Sequence, residues 1–255
     1  MNELKTAINA AKEAGKVLMS YYGKNNLKLK YKDTNFNVAS MVTNADIESE
    51  KAIVGIIEKE FPKHNIYSEE DTDKKKGSEY TWYVDPLDGT SNFSRNIPLF
   101  GISIGLTKKD QPILGVLYFP ALKLLVHAET GKGAYANGKL IHVSNRSLSN
   151  SLYYSGGIFL KTPQIIVPLA KKVSLTKIID ASSYELAQIA MGDAEIYALT
   201  SVPHDVAAGS IIIRESGGKI TDYEGKKWNI KSKTIVATNG TVHDDALQYI
   251  KKYYK

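Results

Sequence analysis

Trp82-Tyr83-Val84-Asp85-Pro86-Leu87-Asp88-Gly89-Thr90-Ser91-Asn92-Phe93 is the stretch on which the fold turns. Thr81 to Val84 is aromatic and β-branched, the composition of a buried strand. The strand is expected to stop at Asp85, because Pro86 removes a ladder donor and Asp88-Gly89 favours a tight turn. Asp85 and Asp88 then leave one strand end together. Unpaired, two such carboxylates repel and raise each other's pKa. A hard divalent cation such as Mg²⁺ relieves the repulsion, since it takes a few carboxylate oxygens alongside water and phosphate. Gly89-Thr90 opens a helical turn whose free N–H groups suit an anion. The stretch therefore predicts a metal beside a phosphate cradle, although an isolated Asp-Gly pair is only a turn.

The chain has 255 residues, 43% hydrophobic and 24% charged, enough for a well-buried core. Apolar runs are broken within about a dozen residues, short of membrane-spanning length. The first residues, MNELKTAINAAKEAGKVL, scatter charges where a signal peptide would be apolar. Cysteine is absent, which excludes disulfides, thiolate ligands and cysteine nucleophiles. A cytoplasmic protein is expected. The net charge of +6 raises nucleic acid as a partner, but the lysines are dispersed. The densest groups, Lys74-Lys75-Lys76 and the C-terminal end, read as a solvated loop and helix face. A mild positive field also draws small phosphorylated anions.

On the N-terminal side, apolar spacing predicts a helix over 3–22, a strand over 27–31 and a polar loop from Lys32 to Asn37. Thr43-Asn44-Ala45-Asp46 leads into a helix that Pro62 stops. Locally Asp46 reads as the acid of a capping box. A strand over 64–68 ends at Glu69-Glu70, which locally read as solvated acids, and a charged loop spans Asp71 to Ser78. Beyond the central stretch, strands over 100–106, 113–119, 124–127, 134–135 and 140–143 alternate with turn signals, an antiparallel meander. A polar segment near 144–150 divides the chain into 1–145 and 146–255, expected to form one compact unit. The second half reads as strands over 152–155, 175–179, 194–199, 219–222 and 234–238. Helices are expected near 163–173 and 183–191, over 206–216 after Pro203-His204-Asp205, and from Thr241. This alternation predicts layered α and β.

The string WxxDPxDGTxNF resembles the first signature of the inositol monophosphatase family of magnesium-dependent phosphatases. HDVAAGSIIIRESGG, with Asp205 at its start, resembles the second signature. Taken alone, Asp205 is an acid favoured at a helix N-terminus. The family's Glu-Glu pair and Thr-x-x-Asp also occur in order, as Glu69-Glu70 and Thr43 to Asp46. The resemblance implies an α+β fold, a layered α-β-α-β-α sandwich, and two to three Mg²⁺ ions. It assigns the metal ligands to Glu69, Asp85, the Leu87 carbonyl, Asp88 and Asp205. Thr90 and Asp46 would handle the attacking water, with Glu69 beside them in the catalytic group, and the Gly89 and Thr90 N–H groups would hold phosphate. Either Lys30 or Lys32 matches the family's loop lysine. Asp88, Arg95 and Ser182 are the expected substrate contacts.

One departure bears on substrate. Animal members carry an acid some seven residues before the second-signature aspartate, where this chain reads Tyr197-Ala198-Leu199-Thr200. The Trp that precedes that aspartate is replaced by His204, expected to be a supporting imidazole. The implied substrates are inositol 1-phosphate, fructose 1,6-bisphosphate, or both. The alternatives are 3′-phosphoadenosine nucleotides, histidinol phosphate, and an RNA- or transcription-associated binding role. The family also suggests a homodimer or larger homo-oligomer, without membrane attachment.

Overall fold

Small apolar residues at helical spacing build the outermost layer. The structure, a computed structural model, describes residues 2–32, 40–70, 72–155, 162–200 and 202–253. Helix α1 (Glu3–Tyr21) buries Ala7, Ala10, Ala11, Ala14 and Leu18 along one stripe, and the Asn2 side chain caps it by accepting from Lys5 N–H. β1 (Leu29–Lys32) and β2 (Ser40–Thr43) pair antiparallel and feed α2 (Asn44–Glu60). From residue 33 onward, the loop expected up to Asn37 lies outside the described residues.

β3 (Asn65–Ser68), β4 (Asp73–Lys74) and β5 (Tyr80–Asp88) follow, then the short helix α3 (Thr90–Ser94). β6 (Gly101–Lys108), β7 (Gln111–Phe119), β8 (Leu124–Glu129), β9 (Ala134–Ala136) and β10 (Lys139–Ile141) complete the first sheet. Its described order is β10-β9-β8-β7-β6-β5-β3-β4. From β5 to β10 each neighbour is antiparallel, the meander that the turn signals predict. β3 joins β5 in parallel, and β4 adds a two-residue strand within what reads as a charged loop.

β5 does not stop at Asp85. It continues to Asp88 through a register shift, with Asp85 opposite Ser103 and Asp88 opposite Gly101. The irregularity absorbs Pro86, which has no N–H to give to the ladder. Both acids are thus held on a strand rather than on a free turn.

The second half contributes β11 (Leu152–Ser155), α4 (Thr162–Ala170), β12 (Leu175–Lys177), α5 (Ser182–Ala190) and β13 (Ile196–Thr200). α6 (Pro203–Glu215), β14 (Lys219–Thr221), β15 (Thr234–Thr238) and α7 (His243–Tyr253) follow. The described strands form a sheet in the order β12-β11-β13-β15-β14. α1 and α2 cover one face of the first sheet, α5 and α6 lie between the sheets, and α4 and α7 pack together outside the second. The result is the expected α-β-α-β-α sandwich. Its central core joins Leu117, Phe119 and Val126 to Ala207, Ala208 and Ile212 of α6 and to Tyr197 and Ile235. α6 approaches β6 so closely that a Cβ on Gly105 would stand 2.8 Å from the Ala207 Cβ.

His243, buried under the outer layer, supplies a pH-dependent element of stability. Its Nε2 lies 3.0 Å from Thr221 Oγ1 and its Nδ1 3.0 Å from Thr238 Oγ1. Thr221 donates its own proton to Asp222 O, so Nε2 carries the ring hydrogen and Nδ1 accepts from Thr238. Burial, and then Lys219, push the imidazole pKa down from 6.5 to about 4. The unfolded chain binds this proton first, so stability is intact above pH 6.5 and falls as the pH drops towards 4, by about 3 kcal/mol. His243→Gln is expected to flatten that part of the stability-versus-pH curve measured by denaturant unfolding. Identical slopes for both proteins would refute the assignment.

Candidate active site

Each acid reaches the site by a separate local device. Asp85 Oδ1 accepts from Leu87 N–H at 3.0 Å, an Asx turn spanning Pro86. Ser49 of α2 donates its hydroxyl to Pro86 O at 2.8 Å and holds that turn from behind. Glu69 N–H donates to Val84 O at 3.0 Å, so the parallel pairing of β3 carries Glu69 alongside Asp85. Ser103, opposite Asp85 in the ladder, donates to His204 O at 3.1 Å and ties the first turn of α6 to the strand end. That helix begins at Pro203, ahead of the expected start at Val206, and Asp205 lies in its first turn.

Asp88 is anchored from the other half of the chain. Its Oδ1 accepts from Ser182 N–H at 3.2 Å, and its Oδ2 from Ser183 N–H at 2.7 Å and from the Ser183 hydroxyl. The first turn of α5 therefore cradles this carboxylate. Tyr197 OH donates to Ser182 Oγ at 2.8 Å, so the Ser182 hydroxyl and N–H are both engaged within the protein. Sequence reasoning missed Ser183, whose only signal is a serine pair opening a helix.

Gly89 adopts φ of 83°, and a Cβ there would stand 2.8 Å from Leu99 O, so glycine is required on both counts. It starts α3, whose first N–H groups have no helical acceptor. Thr90 Oγ1 lies 3.1 Å from Asp46 Oδ1 and 3.0 Å from Leu87 O. The other oxygen of Asp46 accepts from Thr43 N–H at 2.8 Å and from Thr43 Oγ1 at 2.5 Å. The capping box at Thr43 and the contact with Thr90 are thus two faces of one carboxylate. Arg95 is exposed at the end of α3 and donates to Ser91 O at 2.9 Å. Lys30 is exposed on β1, while the side chain of Lys32 lies outside the described residues.

The electrostatics reflect crowded acids. Burial raises Asp85 well above the ordinary carboxylate range, and Glu69, Asp88 and Asp205 raise it further; Glu69 also shares a hydrogen bond with it. Asp88 is pushed up to about 7, by burial and then by Asp205, against the bonds from Ser183. Burial lifts Asp46 to about 6 although Thr43 opposes the change. For His204, burial works downward, but its 3.1 Å contact with Asp205 and the charges of Glu69 and Asp88 raise the pKa overall. The main influences on Asp85 beyond burial are all acids, a charge density that calls for a cation. Every carboxylate offers hard oxygen, the donor type that suits Mg²⁺ or a similar ion. Among the described residues no three acidic or imidazole side chains form a finished cage. The protein's own donors hold two of these carboxylates: Ser182 and Ser183 on Asp88, His204 on Asp205.

Acids gathered at the end of β5, where the first turns of α3, α5 and α6 meet inside five alternating layers, mark a phosphomonoester hydrolase. The chain belongs to the inositol monophosphatase family, whose model matches residues 2–254. It is 34% identical to the fructose-1,6-bisphosphatase/inositol-1-monophosphatase of Thermotoga maritima, over 98% of this chain and 96% of that protein. It is 33% identical to the Nus factor SuhB of Pasteurella multocida, over 97% and 95%. The solved inositol monophosphatase of T. maritima superposes with a TM-score of 0.89 at 33% identity, covering 99% of this chain and 98% of that one. The family is metal-dependent and acts on small phosphorylated substrates. Among the described residues no helix is long and apolar enough to cross a membrane.

Proposed function

We propose that this enzyme removes phosphate from inositol 1-phosphate and fructose 1,6-bisphosphate with two to three Mg²⁺ ions. The observation that carries this reading is the convergence of Glu69, Asp88 and Asp205 on the buried charge of Asp85. These four carboxylates, with the Leu87 carbonyl, would hold the ions. Bound there, the cations supply Lewis acidity to phosphate and water. The Thr90 hydroxyl donates to Asp46, so its oxygen accepts from the attacking water and orients it. As the water adds to phosphorus, its proton passes through the Thr90 hydroxyl to Asp46. Asp46, lifted to about 6, is poised to receive a proton near neutrality. The Gly89 and Thr90 N–H groups fix the phosphate at the start of α3.

Substrate breadth follows from what faces the sugar. A buried acid that accepts from ring hydroxyls discriminates strongly, because a poor substrate leaves it unpaired. On β13, Tyr197 is committed to Ser182, and Ala198 and Leu199 are buried without an acceptor. The dual name of the Thermotoga relative supports the same breadth. Phosphate release is expected from both substrates, with kcat/KM values within about 10-fold of each other, or about 1.4 kcal/mol. A preference above about 10³-fold for either, about 4 kcal/mol, would overturn the relaxed site. Arg95→Ala should reduce only the bisphosphate activity if Arg95 meets the second phosphate; equal loss of both activities would refute that contact. We place the enzyme in the cytoplasm as a homodimer or larger assembly. An oligomer is supported by the exposed Leu175 and Ile178 at the β12 edge of the second sheet.

A further inference from the structure

The first sheet carries a second concavity, away from α1 and α2. On that face the parallel pairing of β3 with β5 sets Tyr67 beside Tyr83, and β4 sets Asp73 opposite Tyr67. α6 packs over β5, β6, β7 and β8. Beyond that cover the sheet edge leaves a cavity of ≈ 480 Å³, walled by Tyr67, Tyr83, Pro203 and Ile230. This size and mixed lining suit a small molecule. The tyrosine rings lie 5.7 Å apart between centroids and are inclined at 57°.

The rim is charged. Lys75 pairs with Asp73 at 3.1 Å and Lys231 with Asp110 at 2.5 Å, the two lysine side chains being 84% and 75% exposed. Exposed ion pairs of this kind contribute little, so both lysines are available to a stronger anionic partner. Lys74 is engaged by Glu58 at 2.7 Å and adds less. Aspartates at the same rim disfavour a plain polyanion; they favour a ligand that brings hydroxyl donors together with its anionic group. Tyrosine faces select a flat ring.

We propose that this groove is a second binding site for a ligand of mononucleotide chemistry. The ring lies on Tyr67 and Tyr83, the phosphate meets Lys75 and Lys231, and sugar hydroxyls donate to Asp73 or Asp110. None of the catalytic acids lines the cavity, but the two share a wall: Tyr67 stacks on His204 with ring centroids 6.0 Å apart, and His204 lies 3.1 Å from Asp205.

Calorimetric titration of guanosine 5′-monophosphate into the full-length Asp85→Asn chain with Mg²⁺ tests the proposal without turnover. One-to-one binding with Kd below about 1 mM is expected, weakened at least about 10-fold by adding Lys75→Ala and Lys231→Ala. The wild-type chain should bind equally well, and the double lysine variant of it should retain wild-type phosphatase activity. Ribose 5-phosphate, lacking the ring, and guanosine, lacking the anion, should each bind more weakly. No saturation by about 10 mM, affinity unmoved by the lysine changes, or ribose 5-phosphate binding as tightly as the nucleotide would each overturn it.

Discussion

Asp85→Asn is expected to lower phosphate release by at least about 10³-fold at saturating Mg²⁺, while the metal-free protein becomes more stable. Asp85 is the acid on which Glu69, Asp88 and Asp205 all act. Its replacement removes a charge that several ions would share. Asparagine keeps an oxygen for Leu87 N–H and offers an N–H to Glu69, so the turn survives. The sign of the stability change follows from linkage. An acid whose folded pKa is raised binds more protons in the folded than in the unfolded state between the two pKa values, so stability falls as pH rises through that window. The wild type bears this loss increasingly as the pH rises above the ordinary carboxylate range, and the variant does not. Without metal, the variant's Tm is expected to rise by at least about 2 °C. Near-wild-type turnover would overturn the role of Asp85. An unchanged metal-free Tm would overturn the account of acid crowding.

Asp46→Asn should reduce kcat by about 10²-fold or more, with little change in Mg²⁺ affinity. The two faces of this carboxylate make the experiment discriminating. One oxygen of Asp46 accepts both Thr43 contacts, so a single asparagine oxygen can preserve the cap. The remaining amide nitrogen then faces Thr90 as a donor and cannot receive its proton. Stability is therefore expected to fall by no more than about 1 kcal/mol, the scale of a lost cap. An unchanged kcat with a lowered melting temperature would leave only the capping role.

The meander was legible because Lys109 to Pro112, Pro120 to Leu122 and Gly131 to Gly133 each mark a turn within a few residues. The cap at Thr43 was legible for the same reason, as a signal of four residues from Thr43 to Asp46. The family resemblance joined acids that no local rule connects, among them Glu69 and Asp205. The extent of β5 was not legible, because Pro86 disfavours a strand locally while pairing of Asp88 with Gly101 of β6 continues it. α6 starts three residues ahead of its apolar pattern, since Pro203 is well suited to the first position of a helix.

By itself the amino-acid sequence determined the layered class, the acids at the central strand end and the glycine that must follow them. These depend on backbone preference and periodicity, which act over a few residues. Only the tertiary structure decided which partners hold those acids. Ser183 reaches Asp88 across 95 residues, and Thr90 reaches Asp46 across 44. It also decided that Asp46 can be cap and Thr90 partner at once, and that Tyr197 is spent on Ser182. Such contacts arise where α2, α5 and α6 converge on one strand end, and packing of distant segments, rather than any local propensity, brings them there.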